Sequence, residues 1–383
     1  MKKRILAILA AGFVLLSGCS QSVSDSSTAA ENTSTASQVS SESAAGSSAP
    51  ADEKAKPETK IITDSAGVQV EVPAECDEII CVWPSGTQLL VTLGMGNLLV
   101  GVSDDSKGQS WATKMYPHLD ELPSCSNDES AESLLSYNAD VVLTTESDVA
   151  EEWRSKGITA VTFKYYSLDQ MKDTISTLSE IVPAEYSTKC TDYLNYLDKN
   201  IADVREALDG KVKTRNSVYY IHGNNNKGLY KTAGGNTMNE EWAKLAYTDF
   251  ATSDLLDASE SVVDAEAILA KDPDTIVIGG KYQKVLRDEL MAAPEWADIK
   301  AVTQQKIFTA PYGISAFDRF GAEFAMMIPW LASQEYPELF TYDAQKEIKD
   351  FYTTFTGYAM TDEEADYILN GMGPDGNPDI PNE

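Results

Sequence analysis

Ser85 lies in the turn Trp83-Pro84-Ser85-Gly86-Thr87, between an apolar run, Ile79 to Val82, and the amphipathic residues Leu89, Leu90 and Leu93. Such a strand-turn-helix element could carry a nucleophilic serine, hold an anion on helix-opening amides near Thr87, or only reverse the chain. The nucleophile reading fails on spacing, because a Gly-x-Ser-x-Gly elbow needs a glycine where Trp83 stands. A triad would also have to recruit His118 or His222, the only two histidines, from far along the chain. Two histidines exclude a three-histidine zinc or manganese centre, and Cys76, Cys81, Cys125 and Cys190 contain no CxxC pair. The connectivity of any disulfide among them stays open. Tyrosine and carboxylate iron sites remain, as does an oxoanion held on amides. No catalytic residue, no cofactor and no resident metal is expected.

The elements that must position these groups alternate. Gln69 to Val72, Ile79 to Val82, Leu98 to Val102, Ala139 to Thr145 and Ile158 to Phe163 read as strands, with helices beginning near Ala131 and Val149. Strands separated by helices argue a mostly parallel sheet covered on both faces. From Ser167 the pattern turns helical, breaks at Pro183, and runs on through Cys190, Tyr193, Leu197, Ile201, Val204 and Leu208 to Asp209-Gly210. A helix of that length spans roughly 35 to 40 Å, enough to separate two lobes. Alternation then resumes: Ser217 to His222, Asp274 to Gly279 and Lys306 to Ala310 read as strands, Thr237 to Leu245, Asp264 to Ala270 and Arg319 to Ser333 as helices. The halves echo each other, since Glu132 precedes Asp140 and Glu266 precedes Asp274 by the same eight positions before a buried strand. The fold class is α/β: two Rossmann-like lobes with mostly parallel sheets, joined by one long spanning helix, with a ligand cleft between them. The expected segments are 1–19 leader, 20–60 tether, 61–166 first lobe, 167–210 spanning segment, 211–360 second lobe and 361–383 acidic tail. That tail, with seven carboxylates from Asp362 onward and no Lys or Arg, reads as a disordered end.

Lys2-Lys3-Arg4, an apolar run from Ile5 to Leu16, and Leu16-Ser17-Gly18-Cys19 form a secretory leader too short to remain as a membrane span. Its end resembles the lipobox of bacterial lipoproteins, which makes Cys19 the lipidation site and the anchor. Ser20 to Lys60 is rich in Ser, Thr, Ala and Glu, a composition that cannot offset the entropy of ordering. A tether of that length suits a domain that must clear a thick, Gram-positive-like wall. The formal charge is −30, and the leader carries three positive charges away. Such a field repels nucleic acid and favours solubility outside the cell.

Ile62-Thr63-Asp64-Ser65-Ala66-Gly67-Val68 to Val72-Pro73, the Trp83 turn, Leu93-Gly94 and Leu99-Val100-Gly101-Val102 together resemble the opening lobe of a known family. Asp272-Pro273-Asp274, Trp296 to Val302, Phe308 to Pro311 and Trp330-Leu331-Ala332 extend the likeness over about 61–369. The family is the class III, helical-backbone periplasmic-binding-protein family, the substrate-binding lipoproteins of ABC importers for iron-siderophores, haem and cobalamin. The resemblance implies a non-enzymatic, monomeric chain that hands a metal chelate to an ABC permease and its ATPase. It also implies one docking glutamate per lobe, here Glu132 and Glu266, although first-turn glutamates also suit the helix dipole. Where relatives carry Gly-Gly-Asn after the first helix of the second lobe, this chain has Leu245 to Phe250, and the loop after Thr145 is short.

In open α/β sheets ligands sit beyond the carboxyl ends of the strands. Applied strand by strand, that rule selects Trp83, Ser85, Thr87, Thr145, Lys164, Tyr165, Tyr166, His222, Asn224, Tyr230, Lys231, Tyr282, Tyr312 and Arg319. Aromatic faces suit a planar chelate, and Lys and Arg suit the negative charge of a ferric complex. A continued strand would turn Tyr165 and Tyr166 to opposite faces. The expected ligand is a ferric siderophore or similar iron chelate, with a tetrapyrrole, a corrinoid or an oxoanion such as molybdate as alternatives and a secreted hydrolase outside the class.

Overall fold

Two short strands, β1 (Thr59–Thr63) and β2 (Gln69–Pro73), pair antiparallel and bury Ile62, Val70 and Val72 on one face. They open a computed structural model that describes residues 58–223, 228–319 and 321–378. The leader, Cys19 and nearly all of the tether therefore lie outside the described residues, as does Asn224.

The first lobe follows as β3 (Ile79–Cys81), α1 (Pro84–Thr92), β4 (Leu99–Val102), α2 (Ser110–Met115), α3 (Ala131–Ser136), β5 (Val141–Thr144), α4 (Ser147–Ser155) and β6 (Ala160–Thr162). Its sheet runs β4-β3-β5-β6, parallel throughout. Ile79-Ile80-Cys81 and Val141 to Thr144 are buried at every position, as strands covered on both faces must be. α5 (Leu168–Ile181) starts where the Ser167 hydroxyl accepts from the Gln170 amide, and buries Leu168, Met171, Ile175, Leu178 and Ile181. After Pro183, α6 (Ala184–Leu208) runs for 25 residues, and Gly210 follows at φ +68°. Its stripe of Cys190, Tyr193, Leu197, Ile201, Val204 and Leu208 is buried, and the helix packs against α5.

The second lobe comprises β7 (Ser217–Ile221), β8 (Lys231–Ala233), α7 (Met238–Leu245), β9 (Asp249–Phe250), β10 (Glu260–Val262), α8 (Ala265–Lys271), β11 (Thr275–Ile278), α9 (Gln283–Ala292), α10 (Lys300–Thr303) and β12 (Ile307–Thr309). Its sheet, β12-β11-β7-β9, is again parallel, and β8 and β10 pair separately as an antiparallel ribbon. The internal echo has a structural cause. Asp140 accepts from the amides of Asp77 and Glu78 just before β3, and Asp274 accepts from the amide of Ser217 at the start of β7. Each aspartate thus fastens the incoming end of its lobe's central strand.

Beyond β12 the structure departs from expectation twice. The apolar helix α11 begins at Phe324, not near Arg319 (α11, Phe324–Glu335), because residues 313–319 and 321–323 form bends and turns around a Tyr312–Ala316 bridge. The described part of the tail, up to Pro378, is folded onto the body. After α12 (Ala344–Thr356), α13 (Asp362–Leu369) opens on a reciprocal capping box between Thr361 and Glu364 and buries Ala365 and Ile368. The Lys114 ammonium of α2 meets Glu364 at 2.6 Å, and the Trp111 indole N–H donates to the Met372 carbonyl at 2.9 Å. The Tyr312 amide of the second lobe donates to the Ile368 carbonyl at 2.9 Å. Acidity marked this stretch as solvated, and its few apolar residues suffice because both lobes lie within reach.

Cys76, Cys81, Cys125 and Cys190 are free and buried, and burial pushes the Cys76 and Cys190 thiols up to about 12. Among the described residues no helix is long and apolar enough to cross a membrane.

Candidate ligand-binding site

β7 ends by delivering His222, 4% exposed, to the carboxyl edge of the second sheet. The β8–β10 ribbon brings Lys231 and Glu260 alongside, and the bends after β12 bring Tyr312, Asp318 and Arg319. His222 Nε2 lies 2.6 Å from Arg319 Nη1 and 2.5 Å from Glu260 Oε2. Arg319 Nη1 is 3.5 Å from Glu260 Oε1, and its Nε is 3.2 Å from Asp318 Oδ2, which also accepts from the Tyr220 hydroxyl at 2.5 Å. Lys231 Nζ stands 3.8 Å from Glu260, and Lys281 lies over the Tyr312 ring at 5.9 Å. Asp318 can reach this position because Gly279, at the end of β11, has no side chain: a Cβ there would collide with the carboxylate.

The electrostatics follow from this crowding. Burial works against the Arg319 charge, but Tyr220, Asp318, Glu260 and Tyr312 outweigh it and hold the guanidinium above its ordinary value. Burial likewise opposes the Glu260 carboxylate, yet the His222 hydrogen bond and the charges of Arg319 and Lys231 bring it below the usual range. A guanidinium, an ammonium and an imidazole at one sheet edge form a donor set for an anion.

Four of the residues selected from sequence, His222, Lys231, Tyr312 and Arg319, thus gather in one place, and the Tyr282 amide donates to the Gly223 carbonyl beside them. Tyr230 turns away: its ring lies 5.8 Å from that of Trp296, whose indole N–H it accepts, and its hydroxyl meets Glu295.

In the first lobe, Trp83 packs edge-on against Tyr165 at 5.1 Å and Phe163 at 6.2 Å. Gly86 permits this, since a Cβ there would stand 2.8 Å from the Trp83 ring. Ser85 is half-buried in the first turn of α1. Thr87 gives its amide to the Trp83 carbonyl at 2.9 Å, so the helix-opening amides outside the intrahelical ladder are those of Ser85 and Gly86. The buried Thr87 hydroxyl points at the Cys81 carbonyl, 3.4 Å away. Thr145 is half-buried at the end of β5, its hydroxyl 3.4 Å from Glu146. Tyr165 is buried and Tyr166 exposed, and Tyr166 joins Lys164 not at the Arg319 cluster but in a separate cavity of about 440 Å³ against the β1–β2 turn and α5. Glu132 and Glu266 are both exposed, each the second residue of its helix.

Sequence reasoning passed over three features. Glu260 lies on a three-residue strand paired across a long connection, for which no short-range signal exists. The loop after β4 carries one, since the strand itself was legible: Ser103, Asp104 and Asp105 join Ser124, Asn127 and Glu129 around a cavity of about 460 Å³ at the carboxyl edge of the first sheet. The Gly-Gly-Asn run sought after α7 stands before it, as Gly234-Gly235-Asn236. Among the described residues no group of three or more His, Cys, Asp or Glu side chains could hold a metal ion.

Comparison with known proteins agrees with this architecture. A family model described as "Periplasmic binding protein" matches residues 79–312. An uncharacterized ABC transporter substrate-binding lipoprotein of Bacillus subtilis, YvrC, is 24% identical over 302 residues, covering 76% of this chain and 90% of that protein. The crystal structure of a periplasmic solute binding protein from Veillonella parvula superposes with a TM-score of 0.70 at 25% identity, covering 82% of this chain and 98% of that one. The molybdate periplasmic binding protein MolA of Haemophilus influenzae, bound to molybdate, gives 0.67 at 20% identity over 79% of this chain and 99% of its own, a likeness of fold. With the family model spanning well over half of its length, this chain belongs to the periplasmic binding protein family, as the extracytoplasmic, non-enzymatic solute-binding component of an ABC transporter.

Proposed function

We propose that this chain captures an anionic ferric chelate, of the siderophore type, and delivers it to its permease and ATPase while anchored to the outer face of the membrane through Cys19. The observation that carries the reading is the convergence of His222, Lys231 and Arg319 at the carboxyl edge of the second sheet, with Lys281 and Tyr312 beside them. In a chain this acidic, cationic side chains brought together at one sheet edge mark a place selected for negative charge. Trp83, Ser85 and the carboxyl edge of the first lobe supply the opposite wall, and Glu132 and Glu266 meet cationic residues of the permease. Titration with ferric tris-catecholate, followed by quenching of tryptophan fluorescence, tests this. Saturable quenching, weakened at least tenfold by Arg319→Met, is expected. A protein that ignores the ferric complex but gains thermal stability from molybdate is an oxoanion carrier, and the iron reading is then wrong.

A further inference from the structure

Glu260 differs from the groups it touches. His222 and Arg319 are fixed beneath the edge of the sheet, whereas Glu260 rises from β10, a strand whose three residues are all exposed. Three elements nevertheless aim at its one carboxylate: His222 Nε2 at 2.5 Å, Arg319 Nη1 at 3.5 Å and Lys231 Nζ at 3.8 Å. Nε2 cannot serve both of its neighbours. If it carries a proton it donates to Glu260 and confronts an Arg319 N–H at 2.6 Å; if it does not, it accepts from Arg319 and sets its lone pair against the carboxylate. Among the described residues His222 Nδ1 and Arg319 Nη2 have no hydrogen-bond partner. With Asp318 already against Arg319 Nε at 3.2 Å, Glu260 still leaves donors of this set unspent.

We propose that Glu260 is a surrogate anion: it occupies the donor set of His222, Lys231 and Arg319 until an anionic group of the ligand displaces it, and so sets a threshold of negative charge that a ligand must exceed. The inference rests on the reading of the site as an anionic-chelate site. Glu260 does not touch the bound ligand in this scheme; it competes with it, and apparent affinity is reduced by the fraction of molecules in which the carboxylate holds the guanidinium. A neutral chelate has nothing to offer in exchange for the ion pairs it would break.

The test compares the full chain with Glu260→Gln and Glu260→Ser, each checked for thermal unfolding, by titration with ferric tris-catecholate and with a neutral ferric tris-hydroxamate. Both variants are expected to bind the catecholate complex about tenfold more tightly and to show measurable binding of the neutral complex. If the wild-type protein binds the catecholate complex while the variants bind it equally or more weakly, Glu260 is a supporting or ligand-touching residue and the surrogate role is overturned. If neither wild type nor variants respond to a ferric complex, the iron-chelate reading fails, and the competition inferred from it fails with it.

Discussion

The side-chain amide of Asn200, on α6, donates to the carbonyl of Ala325, on α11, at 2.9 Å. That carbonyl is the acceptor which residue 329 would serve in an unbroken helix, and residue 329 is a proline with no N–H to give. The spanning helix thus repairs the defect in the helix it packs against, which accounts for a 5% exposed asparagine in an otherwise apolar stripe. Asn200→Leu is expected to cost about 1–3 kcal/mol, the range for stranding a buried acceptor. A wild-type denaturation midpoint in that variant would show that the carbonyl finds another partner.

Glu323 gives the chain a pH dependence. Burial pushes its carboxyl up to about 7, and the donors around it, the Ser315 amide, the Tyr352 hydroxyl and the Thr92 hydroxyl, do not overcome that. No cation is among its partners in the described residues. Between an unfolded value of 4.5 and about 7, the native state keeps a proton that the unfolded state has released. Stability from this group is therefore greatest below pH 4.5 and declines as pH rises, by up to roughly 3 kcal/mol. Glu323→Gln should flatten that portion of the pH profile of the unfolding temperature, whatever it does to the absolute value.

Trp83 is committed to packing, a role separable from the ligand contact proposed for it. Its contacts with Phe163, Tyr165 and Gly86 lead us to expect that Trp83→Ala loses about 2–3 kcal/mol, less than for a fully enclosed ring. Trp83→Phe separates the two roles: it should retain most of the stability while weakening the ferric complex several-fold. Unchanged affinity in that variant would leave Trp83 a packing residue alone.

Glu132→Ala and Glu266→Ala are expected to abolish uptake in cells while leaving the affinity of the purified chain unchanged, since both residues are exposed on the first turns of α3 and α8. A weakened affinity in titration would place them in the pocket and overturn the proposed docking role.

Thr361→Ala removes the cap of α13 and should cost about 1 kcal/mol, read as a fall of a few degrees in unfolding temperature. Removing residues 361–383 altogether should cost several times more, because it also strips the Trp111 indole of its acceptor and Lys114 of Glu364.

Periodicity reached most of the architecture. Pro183 and Asp209-Gly210 bracket α6 because a proline and a left-handed glycine stop helices through backbone geometry alone. Runs such as Val141 to Thr144 announce strands buried on both faces. What escaped depends on partners distant in sequence. Glu260 reaches His222 only through a ribbon of three residue pairs, and α13 is held by Trp111, Lys114 and Tyr312. The turn around Ser85 was legible as a turn, but the engagement of the Thr87 amide with the Trp83 carbonyl was not, because the first residues of a helix do not say where its free amides end.

The tail has a mechanical consequence. α6 is one strut between the lobes, and the segment from α13 to Met372 is a second, bonded to Trp111 and Lys114 on one side and to Tyr312 on the other. Ties on both sides of a shared core favour small shears or twists of the lobes over a wide swing. The surrogate role proposed for Glu260 suits such a frame, because it asks only that side chains exchange partners on a short exposed ribbon and needs no movement of the lobes.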